Sequence, residues 1–458
     1  MPDKKSGLVA CAVVILVVPV AVVLTKAPAD VVWLKVLQQI FGLWSFLLLV
    51  GQFILSSRLH TLEVGIGLDR LLHAHRYTGM AALVCLSSHA VFFLLHALLV
   101  EPDHPLDVAR DWPVFVGMGM FLIVLVISIT GLYWKRFRVR YETWKNIHYA
   151  AYALPPIVLI HIFLLGTHAK SSPTIRVLLI ALGLGYVGIV LSRLRTYFRK
   201  RRRPFRVDQV IAQTYDTVSL RLSGGYPVAY QPGQFAFLTL IRHGRKAAPH
   251  PFTLSSSPDQ DFLEFSIKAS GDFTRTIAAT REDDHAYIEG PYGNFSCLTD
   301  QRLTTIKELV VRPGGIADYQ PAALQELVFL AGGIGITPFI SMLRYLHGQK
   351  STVPLLLFWA NKTVQDVAFR DELRALCQQH PNWRVVHAFS GEKDGSVPGF
   401  GQVEYGYVTG ELLHAYVPDV SGRGYFLCGP PIFRELLVQN LRSVGVADPN
   451  IHFEMFSW

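Results

Sequence analysis

The sequence predicts a multi-domain membrane protein, a six-helix transmembrane bundle over residues 1–200 followed by a soluble half. Three observations carry this. Hydrophobic residues make up 51% of 458 and the mean hydropathy is positive, too apolar for a soluble chain and too polar for an embedded one. The apolar runs fill the first 200 residues, and the remainder, about 260 residues, has ordinary globular composition and room for two domains. The net charge of +9 is concentrated, with eight Lys or Arg between Arg193 and Arg206, just after the last apolar run.

The apolar runs give six spans: Leu8–Leu24, Val31–Leu55, Leu71–Val100, Trp112–Trp134, Ile147–Gly166 and Thr174–Ser192. The first also has a signal-peptide reading, because Lys4 and Lys5 precede it and Ala27-Pro-Ala29 resembles a cleavage site. Its seventeen apolar residues exceed the usual core of such a peptide and favour a span. Loops on one side hold Arg58, Arg70, Lys135, Arg136, Arg138, Arg140, Lys145 and the Arg193–Arg206 run. Loops on the other hold only Lys26, Arg110 and Lys170, among Glu101, Asp103, Asp107 and Asp111. The positive-inside rule then places both termini and the soluble half in the cytoplasm of a plasma-membrane protein. The basic run reads as a topogenic, lipid-facing cluster rather than a nucleic-acid patch. Five cysteines show neither metal spacing nor a disulfide framework, which fits a reducing compartment for the soluble half.

Two of the spans carry paired histidines. His75 and His89 lie fourteen residues apart, His148 and His161 thirteen apart. At about 1.5 Å per helical residue the separations are roughly 21 and 20 Å, so each span carries one imidazole near each side of the bilayer. Facing helices of this kind would hold two haems stacked across the membrane, His75 with His148 on the inner side and His89 with His161 on the outer. Fourteen residues return His89 to within about 40° of the face of His75, whereas thirteen leave His161 about 140° from His148 on an ideal helix. Pro155 and Pro156 lie between the second pair and are expected to bend or re-phase that helix. The competing reading, isolated polar residues bonding helix to helix, fits one histidine better than two matched pairs. His60, His73, His96 and His168 read as interfacial or loop residues. Arg76 suits either a haem propionate or lipid phosphate.

After Pro204 the pattern turns to alternating strands, Val207–Val210, Val218–Leu222 and Gln234–Leu240. There follow His250-Pro-Phe-Thr253, Lys268-Ala-Ser-Gly271-Asp-Phe-Thr274 and Glu289-Gly290-Pro-Tyr-Gly293. A hydroxyl such as that of Thr253 can bond a flavin ring, and a glycine lets backbone amides approach phosphate. Further on, Leu327–Ala331 reads as a buried strand running into Gly332-Gly333-Ile-Gly335-Ile-Thr337-Pro338, a glycine turn and helix start that make an anion site. Pro354–Trp359 before Asp371–Gln379, and Tyr425–Cys428 before Phe433–Leu441, complete a doubly wound α/β pattern. Asn361, Lys362 and Thr363 follow its second strand, where a 2′-phosphate would sit, so Lys362 favours NADPH over NADH. An aromatic chain end is unusual for a disordered tail.

In this order, the strand-rich motifs resemble the flavin domain of the ferredoxin–NADP reductase superfamily. The resemblance implies an antiparallel β-barrel over residues 201–300 that binds FAD, with His250, Pro251, Phe252 and Thr253 along the isoalloxazine and ribityl chain and Lys268, Gly271 and Thr274 near the pyrophosphate. It implies an NAD(P)H-binding domain over 301–458 in which Cys428, Gly429 and Pro430 lie under the nicotinamide. It also makes Trp458, or else Phe456, the aromatic that stacks on the flavin and moves aside for it. With the histidine pairs, nearly the whole chain resembles the NADPH oxidase and transmembrane ferric reductase superfamily. This implies electron transfer from cytoplasmic NAD(P)H through FAD and two b-type haems to an acceptor outside, dioxygen giving superoxide, or ferric iron. The alternative is a membrane sensor with inactive reductase domains. Arg302–Gln325 has no counterpart in the resemblance.

Overall fold

The computed structural model describes residues 17, 20, 33–57, 68–100, 112–134, 136–139, 141–166, 170, 172–201, 203–299, 326–392, 401–420 and 423–453. The expected first span, the segment Arg302–Gln325 and the chain end with Phe456 and Trp458 lie outside the described residues. The chain divides into two compact units, Met1–Tyr197 and Phe198–Trp458.

The first unit is helical: α1 Trp33–Leu55, α2 Leu68–Val100, α3 Trp112–Tyr133, α4 Tyr141–Tyr149, α5 Leu154–Leu165 and α6 Pro173–Arg201. A short 3-10 turn, Ala150–Ala153, joins α4 to α5, and the three pieces together form one candidate span. Among the described residues five segments are long and apolar enough to cross a membrane, where six were expected from the whole sequence. Their outward faces carry exposed Leu94, Leu98, Leu122, Val126, Val177 and Leu184, a surface that suits lipid rather than water. Helices α1 and α2 run antiparallel with Phe41 stacked on Phe92 at 5.6 Å.

The α4–α5 junction corrects the sequence reading of the second pair. The two prolines occupy the first turn of α5, where a missing N–H has no intrahelical partner to lose. The re-phasing comes from the 3-10 turn before them. Four residues at about 120° instead of about 100° advance the helix face by roughly 80° and cut the mismatch from about 140° to about 60°.

The second unit starts with an antiparallel sheet of β1 Phe205–Ala212, β2 Thr217–Gly224, β3 Phe235–Arg242, β4 Arg245–Lys246, β5 His250–Thr253, β6 Leu263–Lys268 and β7 His285–Tyr292. Its order is β4-β3-β7-β1-β2-β6, with β5 also on β3 and an isolated bridge from Leu254 to Phe265. A six-stranded parallel sheet follows, ordered β11-β10-β9-β8-β12-β13. Its strands are β8 Glu326–Gly332, β9 Leu355–Asn361, β10 Trp383–Phe389, β11 Gln402–Tyr405, β12 Arg423–Cys428 and β13 Ile451–Phe453. Helices α7 Thr337–Gly348, α8 Arg370–Gln379, α9 Gly410–Tyr416 and α10 Pro431–Ser443 accompany them. Separate apolar clusters contain Phe329, Phe339 and Trp359, and Val328, Leu330 and Leu437. Alternate residues of β8 thus serve opposite faces, which is why it is apolar throughout.

Polar groups tie the two sheets of this unit together. Arg344 of α7 donates to Glu264 of β6 at 2.7 Å, to the Ser255 carbonyl at 2.9 Å and to Glu372 of α8 at 2.6 Å. Arg221 reaches the other oxygen of Glu264 at 2.8 Å, and Ser341 donates to the Ser256 carbonyl at 2.6 Å. Burial pushes the fully buried Glu264 carboxyl up, but Arg344 and Arg221 more than offset this and hold it below the ordinary carboxylate value. Its stabilising contribution is therefore present above the unfolded-state pKa and lost as pH falls through the folded-state value. Arg344→Met is expected to destabilise this unit by about 3–5 kcal/mol, because a buried charge loses its partner. Thermal unfolding of the full chain in detergent checks this, and Glu264→Gln should flatten the stability loss at pH below the ordinary carboxylate pKa.

Candidate functional site

In the membrane unit the structure brings His75 and His148 together. The His75 and His148 rings face each other, centroids 6.0 Å apart at 61°. A metal held by two imidazole nitrogens at about 2.1 Å sets the centroids a little over 6 Å apart, so this pair already has the spacing of axial ligands. The other ring nitrogens are turned away on α2: His75 Nδ1–H donates to the Gln52 carbonyl at 3.3 Å and His89 Nδ1–H to the Gln38 carbonyl at 2.8 Å. At His89 such a bond fixes the tautomer and leaves Nε2 as the ligand atom. At His75 the side-chain amide of Gln52 competes for the same nitrogen, its N–H 3.0 Å from Nδ1.

On the facing segment His148 Nδ1 is buried and has no hydrogen-bond partner among the described residues, while Trp144, stacked on Trp134 at 5.7 Å, packs 5.5 Å from the His148 ring. His161 is close enough to His89 to act on it electrostatically. Two glycines make room for the outer pair. A Cβ at Gly42 would stand 2.8 Å from His89 Nδ1, and one at Gly117 would stand 2.9 Å from His161 Cε1. No group of three or more His, Cys, Asp and Glu converges among the described residues. A haem needs only two protein ligands, and the residues present fit one. His73 is exposed and stacks on Tyr77 at 6.4 Å, and Arg76 is exposed.

In the antiparallel sheet, His250, Pro251, Phe252 and Thr253 form β5, all half-buried. His250 stacks on Phe273 at 3.9 Å and 13°. Thr274 opens a 3-10 turn, Thr274–Ala279, and its hydroxyl accepts from the amides of Ser270 at 2.9 Å and Gly271 at 2.7 Å. Lys268 lies at the end of β6 but is engaged by Asp216 and Asp366, both at 3.2 Å. Burial lowers its pKa and the two carboxylates raise it further, so the net shift is upward.

The parallel sheet brings two turns together. The chain leaves β8 on one side through β9, β10 and β11, then resumes on the other at β12. The crevice outside the carboxyl ends of β8 and β12 is therefore the switch point where such sheets bind nucleotides. Gly332 and Gly333 lie there, Gly333 at φ +54°, its carbonyl held by Trp359 Nε1 at 2.9 Å. Gly335 is pressed so close to the next turn that a Cβ would meet the Cys428 carbonyl at 2.3 Å. Gly429 and Gly332 are in similar contact, and Pro430 N-caps α10. Thr337 donates to the Ile334 carbonyl at 3.1 Å, and Pro338 enters α7 in its first turn. Cys428 is buried at the end of β12.

At the end of β9, Lys362 is exposed and Thr363 is engaged with Asp366 in a capping box. Asn361 is 6% exposed, and neither amide atom has a hydrogen-bond partner among the described residues. It flanks the same crevice. The sequence offers only the strand end as a signal for it; that its amide is both buried and unbonded appears only in the fold.

Three stretches of the chain match known families. Residues 41–159 match the ferric reductase like transmembrane component, residues 203–296 an FAD-binding domain and residues 329–439 an oxidoreductase NAD-binding domain. The glycine betaine monooxygenase reductase subunit of Chromohalobacter salexigens is 29% identical over 263 residues, 56% of this chain; the chain spans 64% of that relative, just under two thirds. NADH-cytochrome b5 reductase 1 of Aspergillus terreus is 30% identical over 224 residues, 44% of this chain and 72% of the relative. Among solved structures, the CS-b5R domains of human Ncb5or align with a TM-score of 0.45 at 22% identity, over 55% of this chain and 69% of that one. Together with the apolar helices, these matches define a membrane-spanning oxidoreductase with FAD- and NAD-binding domains. The three matched domains, in this order, are the architecture of the ferric reductase/NADPH oxidase superfamily.

The Gly42→Ala and Gly117→Ala variants are expected to lose haem from the outer pair and to keep the inner one. Pyridine haemochrome per polypeptide should fall to about half of the wild-type value, and undiminished haem would remove the two glycines from the site.

Proposed function

We propose that the chain carries electrons from cytoplasmic NAD(P)H through FAD and two bis-histidine b-type haems to an acceptor on the far side of the membrane. The observation that carries this is the His75–His148 ring pair at ligand spacing, with His89 and His161 about 20 Å further along the same two membrane segments. FAD, when bound, supplies the exchange between the two-electron chemistry of nicotinamide and the one-electron chemistry of haem iron. The chain's own residues supply the positioning. The Gly332–Pro338 turn and the start of α7 take the nucleotide pyrophosphate, and Cys428, Gly429 and Pro430 support the nicotinamide ring. His250, Pro251, Phe252 and Thr253 line the flavin in an antiparallel sheet that we read as a barrel closed by the Leu254–Phe265 bridge. Gly271 and Thr274 shape the turn at its pyrophosphate. Trp458, outside the described residues, is the proposed aromatic gate.

Dioxygen, reduced to superoxide, is the proposed acceptor. His89 and His161 would together hold an iron with no site left for oxygen, so the acceptor would be reduced without binding to the metal. The outer loops, read from the sequence, are short. Anaerobic reduction of the purified protein with NADPH should reduce flavin and haem together, and admission of air should reoxidise both with dye reduction that superoxide dismutase abolishes. Insensitivity to dismutase, with reoxidation by ferric chelate, would transfer the assignment to metal reduction. A chain without paired haem absorbance would be a sensor or scaffold.

The nucleotide is proposed to be NADPH on the strength of Lys362 at the end of β9. Lys362→Ala is expected to raise the KM for NADPH several-fold and leave that for NADH unchanged. An unaltered ratio of the two would withdraw the assignment.

A further inference from the structure

Away from the electron path, two more imidazoles meet. His347, in the last turn of α7, and His380, which follows the C-terminal end of α8, point ring nitrogens at each other, His347 Nδ1 to His380 Nε2 at 2.9 Å. The rings stand nearly perpendicular, 5.2 Å apart at 82°, and both are half-exposed. His380 is fixed in place by stacking on Trp383 at 3.9 Å and 10°, and Trp383 Nε1 is itself anchored to the Val353 carbonyl at 3.2 Å.

From this geometry we propose that His347 and His380 form a two-histidine chelate for a divalent transition-metal ion, Cu2+ being the tightest-bound of the series. The observed separation is that of a hydrogen bond. Two nitrogens about 2.0–2.1 Å from one ion stand about 2.9 Å apart at a right-angle bite and about 3.3 Å apart at the tetrahedral angle, so a small turn of the rings aims both nitrogens at one ion with little change in their spacing. Without metal the same pair shares one proton in a hydrogen bond; binding moves that proton to the outer nitrogen of its ring. Imidazole is an apt ligand for these ions, and the C-terminal ends of two helices favour a cation. No carboxylate or thiol joins them in a group of three among the described residues, which leaves the remaining positions to water. The ion would clamp the far end of α7, whose near end carries the Gly332–Pro338 turn, to α8.

The test uses the full chain, purified in detergent without a histidine tag, and Cu2+ at up to one equivalent. The expected result is a tetragonal Cu2+ electron paramagnetic resonance signal, separable from ferric haem, with coupling to two imidazole nitrogens. His347→Gln, and His380→Phe (which keeps the stack on Trp383), should each weaken Cu2+ binding by about tenfold or more. Both variants should retain metal-free thermal stability and NADPH affinity. The same first-equivalent affinity and spectrum in wild type and the double variant would overturn the site.

Discussion

Two hydrogen bonds between neighbouring helices set the geometry on which the membrane unit depends. His75 and His89 of α2 each give their Nδ1 proton to a backbone carbonyl of α1, from Gln52 and Gln38. Both pairs of partners are fourteen residues apart, and the helices run antiparallel, so the two bonds fix one register. A helical carbonyl has a second lone pair to offer after its own i+4 bond. An imidazole N–H inside a bilayer has no water to bond. Each satisfies the other, and at His89 the bond sets the tautomer that would leave Nε2 free to bind a metal. A slip of one residue between α1 and α2 would turn both carbonyls by about 100° and remove both bonds.

The facing segment is positioned differently. Its two histidines are brought toward one face by a change of helix type, and among the described residues His148 Nδ1 has no hydrogen-bond partner. This asymmetry explains what the sequence could and could not show. A separation of fourteen is nearly four α-turns and legible as such. A separation of thirteen is misleading as long as every residue is assumed to turn by 100°. The prolines announce that something happens between His148 and His161, but they mark only where α5 begins. The preceding turn winds tightly because the chain has to re-enter a helix at Pro155 with its ring on the unbonded side, and no single residue encodes that.

The soluble unit was legible wherever a pattern repeats within a short window. The buried strand Glu326–Gly332, the glycine turn and the start of α7 follow from composition and local chemistry alone. What stayed hidden is set by pairs distant in sequence. Glu264 and Arg344 are eighty residues apart; His347 and His380 are thirty-three apart. Lys268 shows the opposite failure. Its place near the flavin turn follows from the motif, yet its ammonium lies between Asp216 and Asp366. A lysine motif reports where a cation stands, and only the fold tells which anion it meets.

Helix α7 joins these threads. Its first turn continues the glycine loop at the nucleotide crevice; Ser341 and Arg344, three residues apart on one face, bond the flavin-domain segment Ser255–Ser256 and Glu264; and His347 closes its last turn. Hydride transfer between two bound rings tolerates little more than van der Waals separation, about 3–3.5 Å between reacting atoms. One rigid element that carries both the phosphate-binding turn and the contacts to the neighbouring sheet holds that distance better than two loops could. The buried Arg344–Glu264 pair is then retained for geometry rather than for net stability, since apolar replacements of such a pair are often neutral. Its two oxygens and fixed guanidinium define how α7 meets β6, and through α7 where the nucleotide lies.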